Sequence, residues 1–357
     1  MSYQSQILAR FSNEPQAEPL YLPDLSLWYD WHQRQGTLPT RWADLSIADI
    51  ARAMGVPIWV PFRPWRVGTG DASVHHAQSG DERIVQAETP FGTLVARWTL
   101  GPDGDWWQVE YPVKSAKDLP AALELVKARS YSLDPTGLQE ALEQVGEDGI
   151  VALELPRRPY SDLLHEFLGW AEGLMLIGDP VVQEMLDILE SRLRHVVAQI
   201  AQLPGTVVLS PDNLDGQYIS PRMFARHLAP SYQHTVSTLQ PRDKILVVHI
   251  GGPIRHLVKP LAEAGVHGLE GISGPPQSNA SLAEARQLAG PDLTLWGGIA
   301  QDYLQDAHDW RAFESAVHGA VELAREDNRM ILGVADRVPV NAELDRLEAL
   351  PALIRSA

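Results

Sequence analysis

Lys244-Ile-Leu-Val-Val-His-Ile-Gly-Gly252 sets four apolar residues between a lysine and a histidine and closes on two glycines. An apolar run without alternation suits a strand buried on both faces, and it is too short for a helix. Towards the C-terminus a helical pattern runs to Gly265, and the strand Val266 to Glu270 follows. Ser281 and Glu284 then cap a helix ending near Gly290. Strand Leu293 to Trp296, a helix from Asp309 to Arg325 and strand Met330 to Gly333 complete that side.

Towards the N-terminus, Ser220-Pro221 opens a helix and Gly205 to Ser210 reads as a strand. Asp179 caps a helix with Pro180 at its first position, a favoured pairing. The apolar stripe of that helix is Val182, Met185, Leu186, Leu189, Leu193, Val196, Val197 and Ile200. Ile150 to Glu154 and Val56 to Pro61 are the remaining strand candidates, which makes seven, with an eighth expected in a less regular segment. Apolar strands alternating with helices call for a parallel sheet covered by helices. No Gly-x-Gly-x-x-Gly follows an early strand and no phosphate-binding Gly-x-x-x-x-Gly-Lys-Ser/Thr occurs, which disfavours a doubly wound nucleotide fold. The expected class is α/β: a (β/α)8 TIM barrel.

One barrel domain over residues 1–357 is expected. Residues 1–50 form an entry segment rich in Trp, Tyr, Pro and Asp. There Leu20-Tyr-Leu-Pro-Asp24 stands out, and Ser46 with Asp49 resembles a capping box before the helix that Gly55 stops. Residues 82–113 read as short strands separated by Pro-Phe-Gly and Gly-Pro-Asp-Gly turns, an antiparallel β-hairpin insertion. The main run of strand–helix units spans about 118–350. His75-His76 reads as polar surface loop, and Arg325 to Arg329 as a solvated turn.

Lys plus Arg number 29 against 46 Asp plus Glu, a formal charge of −17. Such a field repels phosphate backbones and anionic headgroups, so neither nucleic acid nor a membrane surface is an expected partner. The absence of cysteine excludes disulfides, thiolate nucleophiles and cysteine-based metal sites. No basic-then-apolar leader stands at the start and no apolar run reaches spanning length, so a cytoplasmic protein is expected.

In a barrel of this class, polar residues at the carboxyl ends of strands face the active site. That places Glu154, with Arg157 and Arg158 beyond it, among the candidates, together with Asp212, Asn213, Asp215, Gln217 and Tyr218 after the 205–210 strand. An ordinary Asx-rich turn before the Ser220 cap accounts for the same composition. His249, Glu270 and Asp336 end three further strands, and one histidine with carboxylates can hold a divalent metal such as zinc. The same carboxylates could equally pair with Arg158 or Arg337. Trp296 suits the wall of a pocket for a flat ligand, although most of the 11 tryptophans suit packing.

From about Val56 to Leu350 the chain resembles the uroporphyrinogen decarboxylase superfamily. The residues that carry the likeness are Glu88-Thr-Pro-Phe-Gly-Thr93, Tyr111-Pro-Val-Lys-Ser-Ala-Lys-Asp-Leu119 and Asp212-Asn-Leu-Asp-Gly-Gln-Tyr-Ile-Ser-Pro-Arg-Met-Phe224. Val248-His-Ile-Gly-Gly252, Ala264-Gly-Val-His-Gly-Leu-Glu270, Leu295-Trp-Gly-Gly-Ile299 and Ile331-Leu-Gly-Val-Ala-Asp-Arg-Val-Pro339 extend it. The closer likeness is to the corrinoid-linked methyltransferase-like branch, which implies a (β/α)8 barrel and a zinc on a His-x-Cys-Gly strand end plus a later Cys or His. His249 stands at the histidine position, Gly251 where the cysteine would be, and Asp336 near the later ligand. A metal here would therefore rest on His249 with Glu270, Asp336 or Glu154, without cysteine.

The decarboxylases' Arg-Pro-Pro-Val-Trp segment is poorly matched by Phe62-Arg-Pro-Trp-Arg-Val-Gly68, whose Arg63 and Arg66 could still bind an anion. The resemblance implies transfer of a methyl group from a small methylated substrate, such as a methyl ether, to a corrinoid on a partner protein. His249 and Asp336 would act at the leaving oxygen, with Asp215 and Tyr218 positioning the substrate. The alternatives are decarboxylation of a small or tetrapyrrole acid gripped by Arg63, Arg66 or Arg158, and a non-catalytic barrel that binds a ligand or a corrinoid protein. A homodimer is left open.

Overall fold

Five strand separations of a flat sheet would hold two indole rings roughly 24 Å apart. Trp59 and Trp296 sit on strands that far apart in pairing order, yet their ring centroids are 4.6 Å apart in an edge-to-face contact. The sheet that carries them is therefore rolled into a barrel. The structure is a computed structural model that describes residues 1–12, 14–15 and 18–356; positions 13, 16 and 17 of the entry segment lie outside the described residues.

Among the described residues the strands are, in chain order, β1 (Leu20–Tyr21), β2 (Ile58–Phe62), β3 (Trp65–Gly68), β4 (Ser73–Ser79), β5 (Glu82–Thr89), β6 (Gly92–Leu100) and β7 (Trp106–Glu110). They continue as β8 (Ser130–Leu133), β9 (Gly149–Glu154), β10 (Val207–Leu214), β11 (Ile245–Ile250), β12 (Gly268–Ile272), β13 (Thr294–Ala300) and β14 (Met330–Ala335). The chain divides into two compact units: Met1–Phe62 with Thr136–Glu154 and Pro204–Ala357, and Arg63–Pro135 with Leu155–Leu203.

The first unit holds an eight-stranded sheet in the order β1-β14-β13-β12-β11-β10-β9-β2, parallel at every pairing. Its end strands are the first two in sequence, the order a barrel of eight parallel strands requires. Alternate residues face inward: Leu20, Trp59, Ile150, Ala152, Val207, Leu209, Val247, Trp296 and Ile331 form one buried cluster with Leu22 and Ile7. The eighth strand is β1, whose two residues are too few to show a pattern of their own.

Helix Tyr3–Ser12 closes the amino-terminal end of this barrel. Ile7 enters the cluster, the Thr294 hydroxyl donates to the Arg10 carbonyl at 2.8 Å, and the Arg329 guanidinium donates to the Phe11 carbonyl at 2.9 Å. With one end plugged, polar chemistry is left to the carboxyl ends of the strands. Arg329 also donates to the Asp292 carbonyl, and Asp327 accepts from Arg286 at 2.9 Å. The run Arg325 to Arg329, expected as a solvated turn, is thus tied down at its far end.

The second unit carries the antiparallel strands. β4-β5-β6-β7 form a meander, and β3 pairs with β8. The insertion begins earlier than expected, because Ser73–Ser79 is a strand and His75 and His76 lie in it rather than in a loop. This edge strand is almost wholly exposed, so it has no apolar alternation to read. In the same unit, helix Pro180–Ile200 buries the eight residues of its expected stripe, and the Asp179 carboxylate accepts from the Val181 amide. Among the described residues no helix is long and apolar enough to cross a membrane.

Candidate functional site

His249 and Glu270 are direct partners across β11 and β12, so both side chains leave the sheet on the same face, one strand spacing apart. That face is the barrel interior, since Val247, two residues earlier, belongs to the buried cluster. The His249 Nδ1 and Glu270 Oε2 lie 2.5 Å apart. From the end of β14, Asp336 places Oδ1 3.4 Å from the other ring nitrogen, Nε2. One ligand atom from each of the three residues falls within 4.8 Å of the others.

Gly271 makes this juncture possible. The β12–β13 register shifts between Glu270 and Ile272, and Gly271 takes φ +98° there. A Cβ at Gly271 would lie 2.2 Å from the Ile250 carbonyl oxygen and 3.3 Å from the His249 ring. Only glycine fits a bulge that close to the histidine.

Charge decides the state of the histidine. Burial by itself disfavours the imidazolium, but Asp336 and Glu270 outweigh it and hold the His249 pKa at about 9. Burial raises the Glu270 carboxyl, and the opposing pull of His249 offsets only part of that rise. Asp24 belongs to the same electrostatic neighbourhood. It follows β1, its carboxylate accepts from the Ser26 amide at 2.8 Å, and burial raises its pKa against the pull of Ser26 and Arg337. Sequence reasoning missed Asp24, although Leu20-Tyr-Leu-Pro-Asp24 repeats the apolar-run-then-acid pattern of Ile150 to Glu154.

The spacing of these residues suits a divalent cation. Two ligands on one tetrahedral ion with bonds of ~2.1 Å stand roughly 3.4 Å apart. That is the spacing between His249 Nε2 and Asp336 Oδ1. Glu270, on Nδ1, holds the ring and its tautomer, as carboxylates behind metal-bound histidines do. Gly251 contributes no donor atom, and a Cβ there would come 2.9 Å from Asn213 Oδ1. Any side chain at 251 would press on Asn213, itself in the left-handed region at φ 47°.

The loop after β10 lies beside the loop after β11. Gly216 N–H donates to the Pro253 carbonyl at 2.8 Å, and His256 Nε2 sits 2.7 Å from the Ile219 carbonyl. Asp215 turns the loop by accepting from the Gln217 amide at 2.7 Å. Burial raises its carboxyl pKa, opposed by the Gln217 amide and His256. Tyr218 is half-buried, whereas Asn213 and Gln217 are exposed.

Several candidates are placed elsewhere than at the strand-end rim. Asp212 is fully buried, 2.8 Å from the Ser210 hydroxyl and 2.5 Å from the Tyr232 hydroxyl, both of which donate to it. It faces helix Ala229–Leu239 because it alternates with the inward Val207 and Leu209. Trp296 is in the interior cluster, its indole N–H donating to the Leu22 carbonyl at 3.0 Å. Glu154 ends β9 on the inward side, in phase with Ile150 and Ala152. Arg63, Arg66 and Arg158 belong to the second unit. There the Arg63 guanidinium lies 4.9 Å from the Trp65 ring centroid, Arg66 is ion-paired with Asp134, and Arg158 is fully buried at the start of helix Pro159–Asp162.

No family model matches the chain, and no curated protein matches it. Among solved structures, a methyltransferase from Methanosarcina mazei is similar over 100% of this chain and 99% of its own, with a TM-score of 0.61 and 16% identity. At that identity the likeness is one of fold, and it extends over the whole barrel and its antiparallel insertion.

Proposed function

We propose that the chain is a cytoplasmic enzyme of the corrinoid-linked, methyltransferase-like branch of the uroporphyrinogen decarboxylase superfamily. It would move a methyl group from a small methylated molecule, in the simplest case a methyl ether, to a corrinoid carried on a separate protein. The observation that carries this reading is the convergence of His249, Glu270 and Asp336 at the carboxyl ends of three barrel strands. The fold shared with a methyltransferase is in keeping with it.

When the bond between oxygen and the methyl carbon breaks, its electron pair stays on oxygen, and the site must neutralise that charge. With a pKa of about 9, His249 holds a proton at neutral pH, and Glu270 on Nδ1 leaves Nε2 as the nitrogen that delivers it. A proton placed in this way accelerates such a step by roughly 10²–10⁴-fold. Asp336, 38% exposed against 17% for His249 and 13% for Glu270, is the most open of the three and stabilises the imidazolium. In place of that proton, a divalent cation held by His249 Nε2 and Asp336 would supply Lewis acidity to the same oxygen. Asp215 and Tyr218, on the loop stapled beside β11, orient the substrate, and Asn213 and Gln217 form its exposed rim.

The decarboxylation alternative needs arginines that grip carboxylates. Arg66 is engaged by Asp134 and Arg63 by Trp65, so no specific observation favours it. The test is single-turnover methyl transfer from aromatic and aliphatic methyl ethers to free cob(I)alamin, with and without added zinc. A methylated corrinoid formed by the native chain and lost in Asp336→Ala supports the reading. No transfer with any ether under either condition sinks it.

A further inference from the structure

The second unit contains a cleft that the methyl-transfer reading does not use. Its floor is the inner face of the β4–β7 meander, where His76, Val85 and Ala96 are paired across β4, β5 and β6, and Val74, Ala87 and Leu94 beside them. Helix Leu119–Ala128 contributes Leu125 as a wall, and the turn Leu163–Leu168 contributes Phe167. The cleft has a volume of about 250 Å³. A second, wider hollow of about 490 Å³ adjoins it, sharing His76, Val85 and Trp98. Small side chains create the space: Ala72, Ala87 and Ala96 stand where larger residues would fill it.

The chemistry of the lining narrows the occupant. Valine, alanine, leucine and phenylalanine make up most of the wall, Thr69 and His76 are polar, and the charged pole is Arg129 with Glu166. Arg129 is paired with Asp162 at 2.6 Å and Glu166 with Arg157 at 3.2 Å, so the pole has no net charge. Burial raises the Glu166 carboxyl, helped by Asp162 and opposed by Arg157 and Arg129. The Glu166 side chain, 39% exposed, offers carboxylate oxygen to a hydrogen-bond donor. A helix of a partner protein, roughly 10 Å across, does not enter a space of this size. A cavity of roughly 150 Å³ with apolar walls already accepts benzene.

We propose that this cleft is a binding site for an uncharged, largely apolar molecule of one or two rings, bearing one hydrogen-bonding group that meets Glu166. The body of the ligand lies over Ala87 and Ala96, beside Trp98, which lines both hollows. This site is independent of His249 and its neighbours, so its failure leaves the methyl-transfer reading untouched.

The test is fluorescence titration of the full chain with the neutral probe phenylnaphthylamine, alongside its anionic relative anilinonaphthalene sulfonate. Expected is saturable binding of one neutral probe per chain, with the anionic probe at least about tenfold weaker. Ala96→Trp and, separately, Ala87→Leu fill the cleft and each weakens the neutral probe at least about tenfold, while Val109→Ala, on the exposed face of β7, does not. Circular dichroism identifies any filled variant that fails to fold, and the other then decides. Absence of saturable binding to the native chain overturns the proposal, as does equal affinity in a folded, filled variant or preference for the anionic probe.

Discussion

A single imidazole explains more of the candidate site than any other group. His249 is locked on one side by Glu270 and faces Asp336 on the other, and its proton is held well above its ordinary range. Metal binding must displace that proton, so ion affinity should rise about tenfold per pH unit up to about pH 9. In the metal-free protein the sign is opposite. A folded pKa of about 9 against an ordinary 6.5 makes protonated His249 a stabilising group whose contribution is complete below pH 6.5 and fades as pH rises through 9. Thermal melts with and without zinc, at about pH 6 and about pH 9, check both: the zinc-induced rise in Tm should be larger at the higher pH. Asp336→Ala should cost about 10²-fold in turnover and lower Tm more at about pH 6 than at about pH 9, because the Asp336 carboxylate helps hold the His249 proton.

The elements divide by how much burial they carry. β9 to β14 were legible because strands covered on both faces are near-continuous apolar runs, and their last polar residues, His249, Glu270 and Asp336, were legible as strand ends. β1 was not, since two residues make no pattern, and Asp24 went unseen with it. β4 was not, since an exposed edge strand needs no apolar residues. Trp296 illustrates the limit at the site itself: composition suggested a ligand wall, but its phase along β13 turns it inward onto Trp59. Its truncation should therefore act on stability. Trp296→Ala is expected to lose about 3–5 kcal/mol in chemical denaturation, through the cavity left in the barrel and the orphaned Leu22 carbonyl. The Ser281–Glu284 capping box, present in both halves, predicts a smaller effect. Ser281→Ala should cost about 1 kcal/mol in the same measurement and leave methyl transfer unchanged.

At the scale of the molecule, a barrel plugged at one end by helix Tyr3–Ser12 leaves its chemistry at the other, where three strands bring one nitrogen and two carboxylates together. A chain with no cysteine and with Gly251 in place of a ligand retains a donor set that can still bind a divalent ion. Equilibrium dialysis against zinc reads out that donor set. The native chain should retain about one equivalent per chain, and His249→Ala and Asp336→Ala should retain none under the same conditions. Native protein that binds no zinc, or variants that bind as much as the native chain, would contradict it.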